Sequence, residues 1–519
     1  MNYAKLAEVL GARDVLDYLR ETEERVKRAI DRGERIEIDL DFEKKIRDRL
    51  LDVLKDKFGE GLKVLKELAV IDLPIDLEVA KKVYDVEKIR DFVDLGLVEV
   101  RNNHMVMDST LKDLIWENSE GHHRKALEYY SHFEESLDVM AEKAYHHVMV
   151  GDYDRAFELF MRCANEIYGR HRCVEKLIFV GEKLIGKVKE EDKLLGTLGN
   201  LYMVIKKYRE AERYYNMVLK LYDENDRRYL GVLLNLANLH YVKGDYKKAE
   251  GELKELIAKS YGRDEEITEK ALLILSSLYL DLGDYGKAES CLMDVLRMEH
   301  SKAKRDKERL RAVASILNNL GYVYSRAKDF EKAEKFYKEA LRIYNELNDV
   351  NGVTTVLNNL SSLYVSTQKI ERAKETLSMI EKIKEVSPDL KAKYYFLKAK
   401  ILEREGRLKE AMEHYMKAGA LGFLVFRNFG TNAINYMHAF DKAEEIAKNL
   451  KLEDFAGDVF VLKSVIGKVY FGIKRQIGNV VCGERGRVIL KALKGEKADF
   501  DVRDEVDSAV YVIVRDVLS

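Results

Sequence analysis

The sequence predicts an all-α fold: a long array of paired helices preceded by a small module that carries one pair of strands. Three observations predict it. Only two prolines occur in 519 residues. Proline in a helix interior removes a hydrogen bond and clashes with the preceding turn, so a chain this poor in it, and rich in Ala, Leu, Glu and Lys, is expected to be helical almost throughout. A short segment recurs along the chain, in most copies at a spacing of 38 to 45 residues, as repeat arrays do. Between residues 97 and 108 apolar and polar residues alternate, which is the period of a strand.

The totals exclude several classes. An apolar fraction of 46% supports a core, yet no stretch nears the roughly 18 uninterrupted apolar residues of a membrane span. The opening residues, MNYAKLAEVLGARDVLDYLRE, are charged throughout and lack the apolar centre of a secretory signal. The expected location is therefore the cytoplasm, with no membrane partner. Cys163, Cys173, Cys291 and Cys482 form no C-x-x-C pair and are expected to be reduced and mostly buried. With 90 basic against 92 acidic residues, the chain lacks the basic excess of a nucleic-acid coat. A charged fraction of 35%, with glutamine only at Gln368 and Gln476, suits a thermophile.

Residues 1–41 read as a charged helical segment without a motif. A module follows at 42–120. FEKKIRDRLLDVL from Phe42 and LKVLKELAV from Leu62 are two helices, and Pro74 in IDLPID marks a short extended link. LEVAKKVY and VEKIRDFVDLG are a third and a fourth helix. LVEV, RNN and HMVMD give strand, turn and strand. STLKDLIWENS returns to helix, with Ser109 as its N-cap. Helices followed by a two-strand wing describe a winged helix. Its candidate reading helix, Asp85 to Gly96, carries Asp85, Glu87, Asp91 and Asp94 against Lys88 and Arg90. A net acidic helix is poorly suited to a groove lined by phosphates, so nucleic acid is a disfavoured partner.

The array occupies 121–450. GDYDRAFELF begins at Gly151, KKYREAERYY at Lys206, GDYKKAEGEL at Gly244, GDYGKAESCL at Gly283, KDFEKAEKFYKEAL at Lys328, QKIERAKETL at Gln368 and GRLKEAMEHYMKAG at Gly406. Each marks a turn and the start of a second helix, and an apolar first helix precedes it. In LNNLGYVYSRA, from Leu317, the small Gly321 and the later Ala333 allow two helices to approach closely. Tyr324, Phe330 and Tyr337 fill the space between them. Each hairpin leaves an apolar face that only the next can cover. From Lys451 the repeat breaks. DVFVLKSVIGKVYFGIKRQIG reads as one long helix, GRVILKAL and VDSAVYVIVRDVL as helices or strands, and the whole segment 451–519 as a cap.

Leu320, Gly321 and Tyr324, then Ala333, Tyr337 and Ala340, resemble the tetratricopeptide repeat in order and spacing. The longer period here implies longer helices than the usual repeat of about 34 residues. The module and array together resemble the regulatory half of the signal-transduction ATPases with numerous domains, in which a nucleotide-binding domain, a winged helix and a superhelical sensor follow in that order. IRDFVDLGLVEV and VMDSTLKDLI echo that family's winged-helix phrases. Met107 stands before Asp108 where the family has the histidine that touches nucleotide, and no nucleotide-binding domain precedes the module. The resemblance thus implies a chain without a nucleotide site of its own, either alone or beside a separate P-loop ATPase.

Two motifs test that expectation. LIFV followed by GEKLIGKV, Gly181 to Val188, has the G-x-x-x-x-G-K of a phosphate loop. Yet Val174, Leu177, Ile178, Leu184, Ile185 and Val188 keep a helical period through it. Val188 stands where Ser or Thr would hold magnesium, and Glu182 would repel phosphate. A helix of a degenerate repeat is the expectation. His122, His123, His132, His146 and His147 cluster in sequence, but His146 and His147 are adjacent and diverge on a helix, so packing histidines are expected and no metal site.

The candidate binding residues are amides. Asn235, Asn319 and Asn359 stand one residue before Leu236, Leu320 and Leu360 in three first helices. Asn318 and Asn358 precede two of them, and Asn200 and Asn238 lie one turn away. Asparagine is a poor helix former, and an amide offers a donor and an acceptor to a peptide backbone. Kinesin light chains have a similar ladder. Tyr322 and Arg326 share the helix of Asn319. The expected function is a non-catalytic adaptor or sensor that binds a protein or peptide in the concave groove, without cofactor or metal. Two alternatives stay open: a DNA-binding regulator that uses the winged helix, and the sensor subunit of a split ATPase. A homo-oligomer is compatible with each.

Overall fold

The computed structural model describes residues 3–32, 42–101, 103–166, 173–224, 226–302, 306–429, 435–471, 481–493 and 502–518. These fall into two compact units, one of residues up to Tyr214 and one of residues from Tyr215 onward.

The first unit opens with α1 (Tyr3–Leu10) and α2 (Arg13–Arg32), then α3 (Phe42–Phe58) and α4 (Glu60–Leu68). β1 (Ile75–Asp76), α5 (Leu77–Ala80), a 3-10 turn at Val86–Ile89, α6 (Arg90–Asp94), β2 (Val98–Arg101), β3 (His104–Met107) and α7 (Ser109–Ile115) complete the module. Its three strands form an antiparallel sheet in the order β1-β3-β2, with Val98 opposite Met107 and Ile75 opposite Met105. The extended link after Pro74 is therefore the sheet's third strand. The helix expected over LEVAKKVY ends after one turn, and the one expected over VEKIRDFVDLG is split. Asp108, not Ser109, caps α7: its carboxylate accepts from the amides of Thr110 (3.0 Å) and Leu111 (3.3 Å). Asp at that position competes better for the free helix amides, because its charge meets the helix dipole. Leu50, Leu65, Leu68, Phe92, Leu97, Met105 and Leu111 fill the module's core.

α8 (Glu120–Ser131), α9 (Leu137–Met149), α10 (Tyr153–Glu166), α11 (Val174–Leu184) and α12 (Glu191–Val204) continue this unit, and the division falls within α13 (Tyr208–Leu219).

The second unit is a run of hairpins. α14 (Arg227–Lys243) pairs with α15 (Tyr246–Ser260), α16 (Glu265–Asp281) with α17 (Tyr285–Lys302), and α18 (Lys307–Arg326) with α19 (Phe330–Glu346). α20 (Val350–Ser366) pairs with α21 (Ile370–Glu381), α22 (Pro388–Arg404) with α23 (Leu408–Phe429), and α24 (Tyr436–Asn449) with α25 (Glu453–Phe471). Pro388 occupies the first position of α22, where no backbone donor is needed. One apolar core runs without a break from Leu230 to Ile401. α26 (Glu484–Leu493) and α27 (Glu505–Leu518) are both helices; they pack on α25, and α27 also packs on α23. The long helix expected from Asp458 reaches Phe471, and its remainder lies outside the described residues.

The recurring segment has a backbone signature. Its first residue is left-handed in every copy: Gly151, Lys206, Gly244, Gly283, Lys328, Gln368 and Gly406 all have φ between 59° and 87°. This turns the chain from first helix to second within a few residues. Close approach follows as expected, since a Cβ added at Gly321 would sit 2.6 Å from the Tyr337 ring.

A second regularity was not legible in the sequence. A buried tyrosine near the end of a first helix donates to a glutamate on the second helix before it. Tyr279 donates to Glu250 (2.8 Å), Tyr364 to Glu334 (2.9 Å), and Tyr324 to Glu289. At α22 the tyrosine's place is taken by Leu402 and the glutamate's by Lys374, which pairs with Glu405 instead.

Replacing Tyr324 by Phe should leave a half-buried carboxylate without its donor and lower stability by about 1–2 kcal/mol, read as a drop in the urea midpoint. Lys328→Gly should raise stability by roughly 0.5–1 kcal/mol, read as a rise in the same midpoint, because it relieves a left-handed residue that carries a Cβ.

Candidate functional site

The first helices touch from hairpin to hairpin, α14 on α16, α18 on α20 and α20 on α22. Within the second unit they form two stretches of first-helix face, one over α14 and α16 and one over α18, α20 and α22. Asn235 and Asn238 lie half-buried on α14. On α18, Asn318 is half-buried, while Asn319, Tyr322 and Arg326 are exposed, Tyr322 at 41%. Arg326 Nη1 is 3.3 Å from the Tyr322 hydroxyl. Asn359 on α20 is half-buried, and its side-chain amide donates to Asn318 Oδ1 at 2.8 Å. The expected ladder thus includes one amide-to-amide rung between successive first helices. Asn200 is exposed on α12, in the other unit.

Two departures matter. Asn358 is buried at 3% exposure, and its amide donates to the Leu390 carbonyl (3.2 Å). It ties α20 to α22 from inside, because it points about 100° away from Asn359 around the helix. The second departure is a gap. On α16 the position equivalent to Asn235 and Asn319, counted from the turn, is Ile274. The row of amides is interrupted there by an aliphatic side chain.

The segment resembling a phosphate loop is α11 and the turn after it. The helix ends at Leu184, with Gly186 left-handed (φ 70°), so the helix expected to run through Val188 stops earlier than its apolar period suggests. Glu182 accepts from the hydroxyls of Tyr202 (2.6 Å) and Tyr214 (3.0 Å). Lys187 lies over the Tyr153 ring at 5.1 Å. A Cβ at Gly181 would meet Leu198 at 2.7 Å. Gly181, Glu182 and Lys187 are thus each engaged with neighbouring side chains.

Polar groups gather in the first unit where sequence reasoning expected only packing. His123 on α8 and His146 on α9 are fully buried, with their Nδ1 atoms 2.8 Å apart. His123 Nε2 lies 3.1 Å from Asn118 Oδ1. Glu142, one turn before His146, accepts from Lys176 of α11. Lys176 also donates to Asp72 (2.7 Å), as does Lys112 of α7 (2.7 Å). Burial would raise the Asp72 carboxyl, but Lys176 and Lys112 outweigh it and bring it down to about 2. The only sequence signal was a local excess of histidine; that 123 and 146 would face each other depends on how α8 and α9 cross. Among the described residues, no group of three or more His, Cys, Asp or Glu has a metal-holding arrangement. The four cysteines are free and buried, and among the described residues no helix is long and apolar enough to cross a membrane.

Asn358→Ala should cost about 1 kcal/mol through the lost tie to Leu390. Asn319→Ala, which removes an exposed amide, should stay within about 0.5 kcal/mol. Urea titration of both variants separates the interior amide from the surface one.

Family models of the tetratricopeptide repeat match residues 197–263, 275–347, 312–385 and 392–418. No curated protein sequence matches the chain. Solved structures resemble it at low identity. A tetratricopeptide repeat protein from Parabacteroides merdae is 18% identical over 60% of this chain and 98% of its own, with a TM-score of 0.38. A signal transduction ATPase with numerous domains from Pyrococcus horikoshii, which has a tetratricopeptide repeat sensor, is 15% identical over 82% of this chain and 68% of its own, with a TM-score of 0.36. Aspartyl phosphate phosphatase F from Bacillus subtilis is 15% identical over 63% and 88%, with a TM-score of 0.36. The helical hairpins over the matched residues are tetratricopeptide repeats.

Proposed function

We propose that this chain is a non-catalytic adaptor or sensor that binds a protein or extended peptide on the first-helix face of its repeats. The repeats themselves support a protein-binding role. The observation that carries the reading is the solvent-facing row Asn319, Tyr322 and Arg326 on α18, placed beside the Asn318–Asn359 rung. Side chains three and four residues apart share one helix face. They offer amide donors and acceptors, an aromatic surface and a cation, the set needed to hold a peptide backbone and one acidic or polar side chain.

The module at 42–120 is read as a winged helix. The order of α4, β1, α5, the 3-10 turn with α6, and the β2–β3 hairpin supports that reading. A docking role suits it better than DNA binding. In its candidate reading helix Lys88 is already engaged by Asp85 (3.3 Å) and Glu60 (3.8 Å), and Glu87, Asp91 and Asp94 add negative charge. α26 and α27 are read as the cap of the array, since Val506, Ala509, Val510 and Ile513 join the core of the last hairpins.

The test is capture of partners from the source organism with the full chain as bait, followed by binding of peptides from whatever is captured. Asn319→Ala with Asn359→Ala should weaken peptide binding by about tenfold or more, equivalent to about 1.4 kcal/mol, and Tyr322→Ala should weaken it further. Undiminished affinity in the double variant would remove this face from the binding site. Salt-sensitive retardation of duplex DNA by the wild type would instead favour the regulator.

A further inference from the structure

The geometry of the buried histidines determines where their hydrogens lie. Two ring nitrogens 2.8 Å apart must hold one hydrogen between them, because two N–H groups would collide and two lone pairs would repel. His123 Nε2 faces the oxygen of Asn118, an acceptor, so that nitrogen carries a hydrogen. Burial disfavours a second proton on either ring: it holds His123 down to about 4, and His146 well below its ordinary range. A neutral His123 with hydrogen on Nε2 presents a lone pair at Nδ1, so His146 Nδ1 donates to it. His146 Nε2 is then a bare acceptor.

That acceptor faces another. His146 Nε2 and Glu142 Oε2 are 4.0 Å apart, both buried, and neither has a hydrogen-bond partner. Two orphan acceptors side by side in an interior are costly. One hydrogen between them satisfies both after a small side-chain rotation. Burial also pushes the Glu142 carboxyl up, against the pull of Lys176.

The remaining surroundings are accounted for. From α8 come His123 and the buried Tyr130 hydroxyl; from α11, Lys176; from the segment after α4, Asp72; from α7, Lys112. On α9 itself Tyr145 lies edge-on to His146 at 5.2 Å, and His147 turns outward to Asp152, at the start of α10, at 2.9 Å. The lysines and Asp72 form a separate chain through Glu142 Oε1. Glu142 Oε2, His146 Nε2 and the Tyr130 hydroxyl are left without a partner there, and of these Oε2 and Nε2 are the pair of facing acceptors.

We propose that one proton held between Glu142 and His146 is a working part of the fold, and that its release as pH rises loosens the α8–α9 hairpin next to the N-terminal module. Release sets a buried carboxylate oxygen against an imidazole lone pair. On the acid side, a second proton on the histidine pair sets two N–H groups against each other. The signs follow from linkage. The histidines have lowered folded values, so their contribution is present above the ordinary histidine range and is lost as pH falls through about 4. Glu142 has a raised folded value, so its contribution is present at lower pH and is lost as pH rises through that value. The latch is therefore closed only within a window.

The experiment is hydrogen exchange of the α8 and α9 amides in the full chain from about pH 5 to about pH 9, corrected for intrinsic exchange. In the wild type, opening of these helices should rise by up to about tenfold per pH unit from the ordinary histidine range up to the raised Glu142 value, the slope of one proton released, and level off above it. In Glu142→Gln the amide supplies a permanent hydrogen to His146 Nε2, so the slope should vanish and α8–α9 should be better protected than wild type at high pH. A flat wild-type profile would overturn the proposal. So would a Glu142→Gln variant less protected at every pH, which is the behaviour expected if Glu142 only neutralises Lys176. Should the variant fail to fold, the wild-type slope alone decides.

Discussion

A repeat array holds together only if each hairpin grips the one before it. Here the grip is a buried phenol on a carboxylate: Tyr279 on Glu250, Tyr324 on Glu289, Tyr364 on Glu334. The ring supplies apolar area to the joint, and the hydroxyl finds a charged acceptor at its rim. Hydrogen bonds to charged groups are the stronger ones, and a tyrosine buried without a partner would carry a desolvation cost of about 1–3 kcal/mol. The arrangement is therefore selective as well as cohesive. A hairpin displaced by one turn would bury the same apolar surface but would strand both the phenol and the carboxylate. The left-handed residue at each turn serves the same end, since it fixes the angle at which the second helix returns.

Much of this was legible in the sequence, and the failures share a physical cause. Helices, turns and the strand pair at 98–107 are dictated by neighbours in the chain, so local periodicity reveals them. The third strand, Ile75–Asp76, is made a strand by residues 104 and 105, about thirty positions away, and Pro74 alone could announce only extended chain. Asp108 and Ser109 are both good caps, and the choice between them depended on where the strand released the chain. The apolar period runs to Val188, but Gly186 takes a backbone angle that ends the helix. The tyrosine–glutamate grips were hidden because Glu250, Glu289 and Glu334 are three among 92 acids, and their partners belong to the next hairpin.

The positions of the candidate residues in the helices were legible; their exposure and partners were not. Asparagines recurring inside helices drew attention to the first helices; Asn319 is exposed on α18 and Asn359 half-buried on α20. Two adjacent asparagines look alike in a sequence, yet Asn358 is interior and Asn359 reaches toward the face. One residue of rotation decides between a structural tie and a surface group. The histidines show the same limit. Their number was visible, while the contact between rings depends on the crossing of α8 and α9, which no local pattern encodes.

The substitution of Leu402 and Lys374 for the tyrosine–glutamate pair has a mechanical consequence. A row of identical fasteners shares load evenly, and a bend spreads along it. The joint before α22 is fastened from the other end of the helix: Tyr394, in its second turn, donates to Glu381 of α21, and Asn358 reaches the Leu390 carbonyl from inside. Lys374 with Glu405 and Arg404 on the Val365 carbonyl hold the end where the other joints carry their tyrosine. Salt screens such charged contacts more than a sealed aromatic one, so raised ionic strength should slacken the far end of α22 while its start stays fastened.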